Sequence, residues 1–250
     1  MAFQTVFKRY ELKYMLTLEQ KKTILEAMSP YMKLDQYGRT TIRNVYLDTD
    51  NYRLIRRSIE KPAYKEKLRI RSYSQADADS IVFVELKKKY EKVVYKRRLP
   101  LCEWDAMAWV CRRSACPVNT QVSREIDYFI DFYGKLQPTV FLSYEREAYY
   151  DRSGGDFRVT FDDNILSRQS DVSLSSPIYG VPILPDGKVL MELKCSGGIP
   201  LWMVEVLSRE RIYKTSFSKY GTAYSTLIFP KIYLPNSMKR KEIVTNGCNI

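Results

Sequence analysis

Apolar and charged residues alternate with a period of two in segment after segment of this chain. Lys67-Leu68-Arg69-Ile70-Arg71 is the clearest case, with basic residues at the odd positions and apolar ones between. Successive side chains of a strand point to opposite faces, so one face of this segment carries only cations. The pattern recurs in Arg9-x-Glu11-x-Lys13, Glu85-x-Lys87-x-Lys89, Lys96-x-Arg98, Arg158-x-Thr160-x-Asp162 and Glu192-x-Lys194. Leu12, Val84, Leu86, Tyr95, Val159, Phe161, Met191 and Leu193 fill the positions between those charges. An ordinary sheet turns its charged face to water. So many strands with a cationic surplus predict another arrangement: a closed sheet with a charged lumen and a packed exterior.

The elements follow in order. A first strand is predicted over 5–14. Thr17 with Gln20 three residues on makes a capping box, and Ile24, Leu25 and Met28 give the helix behind it one buried stripe, ended by Ser29-Pro30. A second strand spans 40–47, and Asp48-Thr49-Asp50 caps a short helix reaching 57. Strands at 64–73, 81–89 and 93–99 follow, the last two forming a hairpin. The period then changes. Helices are predicted over 101–113, with Trp104, Met107 and Ala108 inward, and over 121–133, with Ile126, Phe129 and Ile130 inward. Strands resume at 138–150 and 157–162 around the turn Ser153-Gly154-Gly155-Asp156. A long loop over 168–187, a strand over 188–194 and helices over 201–208 and 219–228 complete one α+β domain, 1–230. A basic, polar C-terminal tail, 231–250, follows it.

Charge narrows the partners. The 250 residues include 41 Lys plus Arg against 29 Asp plus Glu, a formal charge of +12, and a hydrophobic fraction of 45%, ample for a core. That balance points to an anionic partner: nucleic acid, a membrane surface or a polyphosphorylated small molecule. A single Lys or Arg on a strand is ordinarily a solvated edge residue. The collective same-face set is different, because enclosed cations repel one another unless water, counterions or a polyanion compensates them. Nucleic acid fits less well despite 20 tyrosines, since no helix carries a basic stripe and no Gly-x-x-x-x-Gly-Lys-Ser/Thr phosphate loop occurs.

Absences narrow the chemistry. With no histidine, His-based general-base, Ser-His-Asp and His-metal schemes are excluded. A metal would be held by carboxylates, which favours hard cations such as Mg²⁺ or Mn²⁺. Glu11, Glu85, Asp162 and Glu192 lie among the cations, as salt-bridge partners or as metal ligands. The five cysteines, Cys102, Cys111, Cys116, Cys195 and Cys248, are odd in number and irregularly spaced, as expected of free thiols in a reducing cytoplasm. No signal core opens the chain and no stretch reaches the roughly 18 apolar residues of a membrane span.

Taken in order, Phe7-Lys8-Arg9-Tyr10-Glu11-Leu12-Lys13-Tyr14, Leu68-Arg69-Ile70-Arg71-Ser72-Tyr73, Val84-Glu85-Leu86-Lys87-Lys88-Lys89, Tyr144-x-Arg146-x-Ala148, Arg158-Val159-Thr160-Phe161-Asp162, Met191-Glu192-Leu193-Lys194 and Phe217-Ser218-Lys219-Tyr220-Gly221 resemble the VTC domain, the polyphosphate polymerase domain of the vacuolar transporter chaperone family. The resemblance covers roughly 5–230. It implies a triphosphate tunnel, a closed antiparallel β-barrel with helices packed outside. It also implies transfer of the terminal phosphate of ATP to a growing inorganic polyphosphate chain, with Mn²⁺ or Mg²⁺ in the tunnel.

Carried over by motif, Lys13, Arg69, Arg71, Lys87, Lys96 and Arg98 would grip phosphates, as would Arg146, Arg158 and Lys219, with Lys194 on the same face; Glu192 and Glu11 would hold the metal. The family often has a further lysine three residues before Lys219; here that residue is Ser216, and Lys214 is the candidate to compensate. A free-standing cytoplasmic catalytic domain of bacterial type is implied. Two other functions share the cationic pattern: a tunnel triphosphatase and a non-catalytic polyphosphate sensor.

Overall fold

The computed structural model describes residues 10–91 and 93–233. Strand β1 (Tyr10–Thr17) leads into helix α1 (Leu18–Met28), whose N-cap Thr17 and Gln20 form the reciprocal capping box expected from the sequence. Ile24 and Met28 are buried beneath it. Strand β2 (Met32–Asp48) begins well before the predicted position 40, with a register shift between Leu34 and Arg39. Helix α2 (Arg53–Ile59) follows. Asp48 caps it from a distance, its carboxylate accepting from the backbone N–H of Leu54 at 2.8 Å and of Ile55 at 3.0 Å.

Strands β3 (Tyr64–Ser72), β4 (Ile81–Tyr90) and β5 (Val93–Cys102) form an antiparallel meander, followed by α3 (Glu103–Arg112) and α4 (Gln121–Tyr133). Helix α3 starts two residues later than predicted, and its inward face differs from the expected one. Ala106, Trp109 and Val110 are buried, while Trp104 is exposed and stacks under Arg112, 4.3 Å from ring centroid to guanidinium.

Strands β6 (Gln137–Asp151) and β7 (Arg158–Arg168) are next, and β7 runs six residues beyond its predicted end. The long loop contains a two-residue strand, β8 (Val181–Pro182), paired with β7. Gly180 precedes it at φ +150°, where a Cβ would stand 2.7 Å from the Ser167 carbonyl oxygen. Strand β9 (Lys188–Cys195), α5 (Leu201–Arg209), the short β10 (Lys214–Thr215) and α6 (Lys219–Ala223) follow. A π-helical turn over Tyr224–Ile228 and α7 (Phe229–Tyr233) end the described chain. The N-terminal part of the first predicted strand, including Lys8 and Arg9, and tail residues 234–250 lie outside the described residues.

The ten strands form one antiparallel sheet in the order β10-β1-β9-β7-β6-β2-β3-β4-β5, with β8 on the side of β7. The expected closed barrel is not formed: β5 and β10 are free ends of the sheet, with no ladder between them among the described residues. The sheet nevertheless curls until its ends face each other. Lys87 Nζ of β4 reaches Glu11 Oε2 of β1 at 3.2 Å, and Lys67 Nζ of β3 reaches Ser218 Oγ beyond β10 at 3.0 Å. Side chains, rather than backbone hydrogen bonds, span the gap.

Helices cover the convex face. One core gathers Leu68, Val84 and Leu86 beneath Trp109, Ile126 and Phe129 of α3 and α4. A second gathers Val159, Phe161, Met191 and Leu193 beneath α1 and α5. A third lies on the concave side, where Tyr220, Tyr224 and Ile228 pack on Tyr46, Val140 and Leu142 and fill part of the interior. No helix of the described residues is long and apolar enough to cross a membrane.

The apolar members of the alternating strands are therefore the load on the convex core. Leu86 is fully buried. Leu86→Ala is expected to lower stability by about 2–5 kcal/mol, through lost burial and a residual cavity, and urea unfolding followed by circular dichroism measures the loss.

Candidate functional site

The charged members of the same strands line the concave face. Register brings them into rungs. Arg98, Glu85, Arg69 and Tyr46 are successive partners across β5, β4, β3 and β2. One pleat along, Lys96, Lys87 and Lys67 are direct partners across β5, β4 and β3. Lys13 lies opposite Glu192, and Arg146 opposite Asp162. Lys194 lies between Glu11 and Arg158.

Two acidic centres organise the cations. The first is Glu85, which is 1% exposed. Arg69 donates to it through Nε at 2.8 Å and approaches through Nη2 at 2.7 Å; Lys96 and Arg98 approach its other oxygen at 2.6 and 2.9 Å. Arg71 lies 3.7 Å away, donating instead to Asn44 Oδ1 and Tyr144 Oη, each at 3.0 Å. Burial alone would raise the pKa of Glu85; Arg71, Arg69, Lys96 and Arg98 reverse that and hold it well below the usual carboxylate range.

The second centre is the Asp162–Glu192 pair. Arg146 grips Asp162 through two bonds of 2.6 Å, and Lys219 Nζ lies 2.5 Å from the same carboxylate. Glu192 lies 3.3 Å from Lys13, 3.3 Å from Lys194, 3.6 Å from Lys219 and 3.7 Å from Arg146. Against burial, Lys13 and Lys219 lead the cations that keep Glu192 ionised, and Arg146 and Lys219 do the same for Asp162. Glu11 links the second centre to the lysine rung, 3.2 Å from Lys87 and 3.5 Å from Lys13. Lys87 chiefly, against burial, pulls its pKa down to about 2.

Lys13, Arg69, Arg71, Lys87, Lys96, Arg98, Arg146, Lys194 and Lys219 therefore share one face with Glu11 and Glu192. Arg158 joins them by register, but its described contact is with the ring of Tyr150, 4.6 Å from the guanidinium, rather than with a carboxylate. Lys214 does not take the place left by Ser216: it is exposed opposite Tyr14, whose side chain belongs to the convex core. Lys88 likewise faces the other way, 3.9 Å from Glu66.

Lys67 is the residue the motif comparison passes over, although alternation places it on this face. Its Nζ donates to Ser218 Oγ at 3.0 Å and has no carboxylate partner among the described residues. Burial, then Lys87, Lys13, Lys65 and Arg69, lower its pKa to about 7. Lys96 also falls to about 7, through burial and then Arg69 and Arg71, with Glu85 opposing. Like charges directly opposite in a ladder destabilise it, and the Lys96–Lys87–Lys67 rung is such an arrangement.

The carboxylates suit a hard cation in one respect. Glu11 and Glu192 already converge on a common positive group, the Lys13 ammonium. No group of three or more Asp, Glu or Cys side chains is disposed around a common point among the described residues. Two carboxylates match Mg²⁺-like ions, which take their remaining ligands from water and substrate phosphates.

The chain matches the profile of the VTC domain over residues 8–228, and belongs to that family. Its fold is that of two solved structures of low sequence identity. One is a candidate adenylate cyclase from Bacillus halodurans, 16% identical over 85% of this chain and 96% of that one, with a TM-score of 0.52. The other, from Hippeastrum, is a candidate adenylyl cyclase whose dominant activity is that of a triphosphatase; it is 16% identical over 87% of this chain and 94% of that one, with a TM-score of 0.53. No functionally curated protein matches the chain.

The depressed lysines set a pH dependence. Folded Lys67 releases its proton above about pH 7, whereas an ordinary lysine holds it to about 10.5. The unfolded chain binds the extra proton between those values, so stability rises with pH across that window. Lys67→Met is expected to flatten the rise, read as the urea midpoint from pH 6.5 to 10; an unchanged slope would remove Lys67 as its source.

Proposed function

We propose that this chain is a metal-dependent enzyme of the triphosphate-tunnel class and, within it, a polyphosphate polymerase that uses ATP. The lysine rung carries the reading. Lys67, Lys87 and Lys96 stand side by side on a face where Lys87 and Lys96 share Glu11 and Glu85 with further cations and Lys67 has no carboxylate among the described residues, and an extended polyanion is the partner that relieves them. Membership of the VTC family supports the same assignment.

The residues present suit phosphoryl transfer, which asks for positioning and charge neutralisation more than for a side-chain base. Arg69, Arg71 and Arg146 offer planar forks for neighbouring phosphate oxygens, and the lysines supply point charge. The terminal oxygen of a polyphosphate chain is itself an anionic nucleophile. It attacks the γ-phosphorus of ATP, the bond to the β-phosphate bridging oxygen breaks, and ADP leaves with that electron pair. Glu192 and Glu11 would hold the divalent metal, which supplies charge neutralisation at the phosphate oxygens. Lys13 and Lys219 keep Glu192 ionised for that task, and Arg146 and Lys219 do the same for its neighbour Asp162.

Hydrolysis is the second reading, favoured by the triphosphatase activity of the Hippeastrum protein of like fold. It would replace the chain terminus by water, with Glu11 or Glu85 as the assisting carboxylate. The deciding experiment is incubation of the purified protein with ATP and Mn²⁺, with a gel for long chains and an assay for orthophosphate. Chains are expected; orthophosphate without chains would make the protein a triphosphatase, and binding of polyphosphate with no turnover would make it a sensor.

Three substitutions probe the residues. Each charge-assisted contact contributes about 1.5–3 kcal/mol, so Arg69→Ala and Arg71→Ala should each weaken ATP binding about tenfold or more by calorimetry at fixed salt. Glu192→Gln should leave the circular dichroism spectrum intact and lower turnover at limiting Mn²⁺ by about tenfold or more, with partial recovery at high Mn²⁺. Wild-type activity at limiting metal would take Glu192 out of the site.

A further inference from the structure

On the convex side of the sheet, away from the lysine rung, a second group of cationic side chains is buried with N–H groups that no acceptor satisfies. Arg43 of β2 is 9% exposed, and neither a hydrogen bond nor an ion pair engages it among the described residues. Directly opposite it on β6 is Ser143, 1% exposed, whose hydroxyl is also unpartnered. Arg168 of β7 lies beside them. Its guanidinium stacks on Phe141, 3.7 Å from the ring centroid, two residues from Ser143 and on the same face.

Arg168 has one part of its role in the loop that follows β7. It donates to the carbonyl oxygens of Asp171, Pro177 and Tyr179 at 3.0, 3.3 and 3.0 Å. Its Nη2 is nevertheless buried without a hydrogen bond, 3.7 Å from Asp171 Oδ2. The loop it holds is pinned over this face, because Ala76 N–H donates to Leu174 O at 3.1 Å and Gln75 Nε2 to Ser175 O at 2.5 Å.

A buried guanidinium N–H with no acceptor, as at Arg43 Nε, is a costly state, since its desolvation is uncompensated. Burial leads in lowering the pKa of Arg43; Arg168 adds to the effect and Glu145 opposes it. Glu145 does not form an ion pair with Arg43, and one of its oxygens accepts from Thr41 at 2.7 Å. The unmet donors are thus Arg43 Nε, Arg168 Nη2 and the Ser143 hydroxyl, on adjacent strands under one loop. Planar guanidinium donors beside a hydroxyl are the groups that recognise a tetrahedral oxyanion.

We infer that Arg43, Ser143 and Arg168 form a second, non-catalytic binding site for a single phosphate group on the convex face of the sheet. The site is independent of the chemistry on the concave face, so it stands whether that face polymerises or hydrolyses. Its cover by the loop favours free orthophosphate over the end of a chain.

The test uses the full chain carrying Arg69→Ala and Arg71→Ala, which weakens the concave face. Thermal unfolding is followed with orthophosphate, tripolyphosphate or acetate at equal ionic strength. Orthophosphate is expected to raise the midpoint by a few degrees, and adding Arg43→Met should abolish that rise. Ser143→Ala, which keeps the arginines, should reduce it and serves as the readout if Arg43→Met fails to fold. Loss of the orthophosphate shift alone on Arg43→Met identifies the free ion as the ligand; loss of the tripolyphosphate shift as well identifies a chain terminus. Shifts that survive both substitutions, no shift with orthophosphate, or an equal shift with acetate would overturn the site.

Discussion

Like-charge repulsion across a single sheet face is the constraint on which this molecule turns. Lysines and arginines from β1, β3, β4, β5, β6 and β9 point into one concave space, where the low dielectric strengthens their repulsion. Glu85 and the Asp162–Glu192 pair make that tolerable. Each is buried and each touches several cations, so one carboxylate holds a group of positive side chains in fixed geometry. The compensation is partial: in the Lys96–Lys87–Lys67 rung, Lys96 reaches Glu85 and Lys87 reaches Glu11, while Lys67 reaches no carboxylate among the described residues.

The same electrostatics shapes the fold. A ten-stranded sheet that stopped short of closure would present two open ends, yet here Lys87 meets Glu11 and Lys67 meets Ser218 across the gap. Lys13 adds a bond from its ammonium to the Phe217 carbonyl at 2.9 Å, tying the segment before α6 to β1. Helix α6 is placed from the opposite side. The Tyr220 hydroxyl donates to Asp48 at 2.9 Å, and its ring stacks on Tyr46 at 4.7 Å; the Tyr46 hydroxyl accepts from Arg69 at 3.1 Å. A chain of contacts thus runs from the cap of α2 to the arginine that grips Glu85, and it delivers Lys219 to Asp162.

The two faces of the sheet treat buried charge differently. On the concave face nearly every guanidinium has an anionic or phenolic partner within the protein, which preorganises the forks. On the convex face the side chains under α1, α3, α4 and α5 are mostly apolar, as packing requires, and Arg43 stands out because no carboxylate forms an ion pair with it among the described residues and its Nε has no acceptor. The contrast separates a site built around its own carboxylates from one whose anion must come from outside.

Much of this was legible in the sequence, because strand alternation is a local property. The period of two assigned Lys13, Lys67, Arg69, Arg71, Lys87, Arg146 and Glu192 to one face, and the Thr17–Gln20 box placed α1, since both signals arise from neighbours in the chain. On α3 the apolar pattern holds two tryptophans on different faces: Trp109 is buried with Ala106 and Val110, Met107 packs partly against them, and Trp104 is exposed, a choice that only the packing against the sheet makes. Tertiary structure alone decided the rest. Whether the sheet closes depends on a ladder between β5 and β10, residues more than a hundred positions apart, and no local pattern records it. Which carboxylate serves which cation depends on curvature that brings β1 beside β4. The isolation of Arg43 could not be read either, because a lone arginine in a strand looks the same in sequence whether water, a carboxylate or a loop covers it.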